Sequence, residues 1–122
     1  MRSLKVLGII LCLCALGLIA TAADNNMGIH EVSQITFVAP VRVGNSVLQA
    51  GDYQVRHIME GQDHVMVFQL LRGKSPEVKV KCMLVQLGKK ADQTRTVYEL
   101  NAQNERVLQE LVFRGDTAKH VF

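Results

Sequence analysis

The sequence predicts an all-β domain, a small antiparallel sandwich or partly closed barrel of six to eight short strands, preceded by a signal peptide helix. Three observations predict it. Between Val41 and Leu71, valine-rich runs are separated by Gly44-Asn45, Gly51-Asp52 and Gly61-Gln62, the alternation of strand formers and turn formers that a meander requires. From Glu77 to Gln86, Val78, Val80, Cys82 and Leu84 fall on one face and Glu77, Lys79 and Lys81 on the other, a period of two that only a half-buried strand gives. No long stretch elsewhere carries a convincing helical period.

The chain begins with Met1-Arg2-Ser3-Leu4-Lys5, a short basic start, followed by an almost wholly apolar run from Val6 to Ala20. Ala20-Thr21-Ala22, or Thr21-Ala22-Ala23, then offers the small residues a signal peptidase cuts after, so residues 1–23 read as a secretory signal peptide. The apolar run, roughly 15 residues, is shorter than the ~20 that a membrane-spanning helix needs. An uncleaved anchor is the alternative. Cys14 follows Leu13 where lipid attachment wants Gly or Ala, so the lipoprotein reading fails. Cys12 and Cys14 both leave with the leader.

Residues 24–122 then form one domain. Loss of Arg2 and Lys5 takes the formal charge from +3 to +1. A near-neutral surface gives no electrostatic case for nucleic acid, which selects clustered Lys and Arg. The lysines at 74, 79, 81, 89 and 90 are a solvated face rather than a binding stripe. Cys82 is the one cysteine left, and it cannot make an internal bridge, so an apolar core must hold the domain. About 100 residues suffice for that.

In chain order, Glu31 to Val38 reads as the first strand, closed by Pro40, which cannot donate to a ladder. Val41-Arg42-Val43 and Val47-Leu48 flank a hairpin turn at Gly44-Asn45-Ser46. Tyr53, Val55, His57 and Met59 share one face of the next strand. With Gly61-Gln62 as a two-residue turn, Met59 falls opposite His64 and His57 opposite Met66. Val65 and Val67 make the returning strand apolar on both faces, hence central. After the loop at Arg72 to Pro76 and the strand ending near Gln86, Gly88 to Thr94 is a polar surface loop. Thr96 to Leu100 is a strand with Tyr98 and Leu100 inward. Residues 104–115 fit a helix capped by Asn104 or a strand carrying Val107, Leu111 and Phe113; the connector from Asn101 to Arg106 favours the strand. The apolar end His120-Val121-Phe122 suits a short final strand.

His57 and His64 are the candidate metal ligands. In the register above they lie close together on the inner face, and Glu60 opposes Asp63 across the turn, a like-charge pairing that a bound cation would relieve. Two imidazoles with carboxylates suit zinc or copper. The two carboxylates nevertheless fall on the face opposite the histidines, and hydrogen-bonded histidines are the plainer reading. Cys82, between Val80 and Leu84, reads as a buried and inert small hydrophobe. No nucleophile elbow, paired-carboxylate motif, HExxH run or phosphate cradle is present, so no catalytic residue and no cofactor are expected.

The run Phe37-Val38-Ala39-Pro40-Val41-Arg42-Val43-Gly44, with Val47-Leu48-Gln49-Ala50-Gly51-Asp52-Tyr53-Gln54-Val55, resembles a group of short, uncharacterised exported bacterial β proteins. They share a leader, a strand ending near proline and a hydrophobic-Leu-Pro-Ala-Gly-x-Tyr-x-Val element; here Gln49 stands in place of the proline. The resemblance implies a secreted or periplasmic β domain and no catalytic residues.

The expected function is that of a non-enzymatic binding or structural module of the cell envelope or exterior, with an envelope or extracellular partner and no membrane span after cleavage. A carrier of a small apolar ligand, in a cavity lined by Tyr53, Phe68 and Tyr98, comes second. A metal-binding protein using His57 and His64 comes third.

Overall fold

Alternating apolar positions between Val32 and Val121 form nine strands in a computed structural model that describes residues 28–122. The expected signal peptide lies outside the described residues. The strands are β1 (Val32–Phe37), β2 (Val41–Val43), β3 (Ser46–Leu48), β4 (Gly51–Glu60), β5 (Asp63–Leu70), β6 (Val78–Gln86), β7 (Arg95–Leu100), β8 (Arg106–Val112) and β9 (Ala118–Val121). The count is one above the six to eight expected, with the arms of the Gly44 hairpin and the apolar tail, both anticipated as short strands, each forming a full ladder. Among the described residues no helix is long and apolar enough to cross a membrane.

The strands make one open sheet in the order β1-β4-β5-β6-β9-β8-β2-β3, with β7 pairing β8 off that path. All ladders are antiparallel except that of β2 with β8, which run parallel at Arg42 and Val107. A bidentate ion pair, Arg42 to Glu105 at 3.2 and 2.9 Å, fixes that junction. β6 changes partner in mid-strand: Val78 to Cys82 pair with β5, and Met83 to Gln86 pair with β9. The sheet folds on itself so that Ile35, Phe37, Tyr53, Val55, Met66 and Phe68 share one core with Leu108, Leu111 and Phe113.

The segment that fitted either helix or strand is a strand. Asn104 adopts φ 59°, a turn conformation asparagine tolerates, and the Asn101 carboxamide oxygen accepts from the Gln103 and Glu105 amides at 3.0 and 2.9 Å. The chain therefore turns tightly between β7 and β8 instead of opening a helix. Leu100 departs from its expected inward place. Leu100 stands at the very end of β7 and is exposed, while Tyr98, two residues earlier on the same face, packs against the core.

One buried carboxylate ties together two segments distant in sequence. Asp116 is fully buried and accepts from the His30 amide at 3.1 Å and from the His30 ring, tying the segment before β1 to the turn before β9. The Thr117 amide donates to the Gly28 carbonyl in the same tie.

Candidate metal centre

The β4–β5 hairpin builds the first half of the site. Gly61 takes φ 63°, which lets a two-residue turn join the strands, and the ladder then runs Glu60↔Asp63, Met59↔His64, Ile58↔Val65 and His57↔Met66. Because facing alternates along each strand, Met59, His64, His57 and Met66 share the inner face. The His64 Nδ1 and His57 Nε2 atoms are 3.1 Å apart, and the rings lie 5.1 Å apart between centroids. Sequence reasoning thus placed both histidines in their observed relation.

β6 and β9 supply the second half. Cys82 lies directly opposite His64 on the same face, buried as its alternation requires. His120 pairs across β9 with Leu84 of β6 and Leu111 of β8, and its side chain is fully buried. Its ring lies 5.6 Å from that of His57 and meets Phe113 edge-on at 6.1 Å. His120 Nδ1 is 4.0 Å from Cys82 Sγ, and ligand-type atoms of His57, Cys82 and His120 all lie within 4.8 Å of one another. His57, Cys82 and His120, from three strands, therefore converge where β6 passes from one partner to the other, and His64 of a fourth strand joins them through its contact with His57.

The expected carboxylates take no part. Glu60 and Asp63 do oppose each other across the turn, but Lys79 Nζ lies 2.9 Å from Glu60 and Lys81 Nζ 3.2 Å from Asp63. Lysines from β6 relieve the like-charge contact on the solvent face. The inner site is left with nitrogen and sulfur donors alone.

Electrostatically the site resists charge of either sign. Burial pushes His120 down to about 4, with His57 and His64 adding to the effect. His57 is lowered mainly by burial and further by His64, against an opposing pull from Glu31. Burial raises the Cys82 thiol to about 11. At neutral pH this favours the neutral imidazole, the ligand form, at His57 and His120, beside a protonated thiol that a bound metal ion would deprotonate. His120 Nε2 is buried with no hydrogen-bond partner among the described residues. Such an orphan nitrogen is uncommon in a packed interior.

A tetrahedral ion with bonds of about 2.0–2.3 Å holds its ligand atoms roughly 3.3–3.8 Å apart. The His57–His64 nitrogens, 3.1 Å apart, and the Cys82 Sγ–His120 Nδ1 pair, 4.0 Å apart, lie near that spacing. His120 went unassigned in the sequence because it joins the others through a pairing of β9 with β6 that no local pattern reports. Cys82 was placed on the correct face; what changes its reading is the company of His120.

The chain matches no protein-family model, no curated protein and no solved structure.

Proposed function

We propose that this is an exported, non-enzymatic β domain whose binding act is the capture of one transition-metal ion by His57, His64, Cys82 and His120. The observation that carries the reading is the convergence of His57, Cys82 and His120 from three strands, with His64 against His57 and an unpartnered nitrogen on the buried His120. Imidazole and thiolate suit zinc or copper, not the hard cations that prefer oxygen. Export rests on the leader-like residues 1–23.

The general binding-module reading is narrowed here, not replaced, since the thing bound is given a chemistry. The apolar-carrier reading draws less support. Tyr53 and Phe68 both pack against Phe37, with ring centroids 5.7 and 6.5 Å apart, so these side chains fill the space they would have to line.

Elemental analysis of the purified protein after equilibration with a mixture of divalent zinc and reduced copper tests the reading. One equivalent of metal is expected in the wild type. Cys82→Ala and the double change His57→Ala/His64→Ala are each expected to lower occupancy at least tenfold, since loss of even an outer partner costs metal affinity by about 10–100-fold. Metal-free wild-type protein, or variants that retain a full equivalent, would remove the proposal.

A further inference from the structure

The ligand set supplies very little negative charge. Three imidazoles contribute none, and Cys82 contributes one when its proton is lost. Glu60 and Asp63 lie on the other face with their lysines. Glu31 is exposed, and it is the Glu31 backbone carbonyl that accepts from the His57 amide, at 2.8 Å. A divalent ion held by this set would leave a net positive charge beside the buried His120 ring, and because uncompensated buried charge is costly it would bind less tightly than a monovalent ion. A monovalent ion paired with one thiolate is neutral.

The register adds a second, independent feature. Met59 lies opposite His64, and His64 lies opposite Cys82, so a thioether, an imidazole and a thiol form one row across β4, β5 and β6 on the same face. Directly opposed side chains in such a row have Cβ atoms about 4.5–5.5 Å apart. Met59 is 45% exposed while Cys82 is 8% exposed, so the row leads from solvent to the buried thiol. Thioether and thiolate are the donors that select cuprous copper.

Resting on the metal-centre reading above, we propose that the ion is cuprous copper and that Met59 receives it at the open end of this row. Loading forms a sulfur–copper bond at Cys82, breaks its S–H bond and releases the proton to solvent, with no change in the oxidation state of the metal. Met83 is the natural control: it is 66% exposed and adjacent to Cys82, but alternation puts it on the opposite face.

The test is anaerobic titration of the purified protein with cuprous ion presented by a chromophoric chelator, with and without a zinc competitor, alongside Met59→Leu and Met83→Leu. The expected result is one cuprous equivalent that one equivalent of zinc does not displace. Loading by Met59→Leu is expected to be about tenfold slower or weaker, comparable to the loss of a supporting metal contact, with Met83→Leu unchanged. Zinc held in preference to cuprous ion, or equal loading of the two variants, overturns this inference and leaves the metal centre standing. Binding of neither ion overturns both.

Discussion

The His120 imidazole is fully buried, between the ring of His57 and the edge of Phe113, and burial holds it down to about 4. In the unfolded chain the same group titrates near its ordinary 6.5. Above that value both states are neutral and the group adds no pH dependence to stability. Between about 6.5 and about 4 the unfolded chain takes up a proton that the folded one refuses, so stability falls as the pH falls. By pH 5 the metal-free protein is expected to have lost about 2 kcal/mol from this residue. Urea unfolding in the presence of a chelator, at pH 7 and pH 5, checks it. The His120→Leu variant should lose markedly less over the same range, keeping only the smaller contribution of His57, which is shifted in the same direction. Parallel losses in the two proteins would contradict the placement of His120.

At the scale of the element, the β4–β5 hairpin sets the spacing of His57 and His64. Gly61 carries its turn at φ 63°, and a Cβ added there would meet nothing within 4 Å. The cost of Gly61→Ala is therefore backbone strain alone, about 1–2 kcal/mol for an L-residue in the left-handed region. Gly61→Asn is expected to cost less, because asparagine visits that region more readily. Chemical denaturation of the pair measures the difference; equal midpoints for wild type and Gly61→Ala would show that the turn does not depend on that conformation.

The same hairpin marks what could be read from sequence. Its register follows from a local turn and a period of two, so the His57–His64 pairing and the inward face of Cys82 were both legible. β9 was legible only as an apolar tail. Its pairing with the far half of β6 is a long-range choice that no neighbouring residue encodes, so His120 could not be joined to the site. Leu100 was misplaced for a different reason: alternation gives the face of a side chain but not whether anything covers that face at the end of the strand. The carboxylates at Glu60 and Asp63 were correctly opposed, yet the lysines that neutralise them come from β6, the next strand in the ladder.

Across the whole molecule, β6 joins two parts of one open sheet and changes partner between Cys82 and Met83. The four candidate ligands flank that junction, drawn from strands on both sides of it. A metal ion there would cross-link β4, β5, β6 and β9 at the point where the sheet folds on itself, doing for an internally unbridged domain what a disulfide does elsewhere. The burial of His120 and Cys82 beside two half-buried imidazoles also finds a reason in such an ion.

Cobalt(II) addition to the reduced, metal-free protein tests this most directly, because the spectrum reports both geometry and the sulfur ligand. One equivalent is expected to produce the visible absorption of a tetrahedral site together with a near-ultraviolet thiolate-to-metal band. The ultraviolet band should vanish in Cys82→Ala, and the visible absorption should collapse in His120→Leu. No thiolate-to-metal band with either cobalt(II) or cuprous ion, or a cobalt spectrum that the loss of Cys82 and His120 leaves unchanged, would contradict the metal centre.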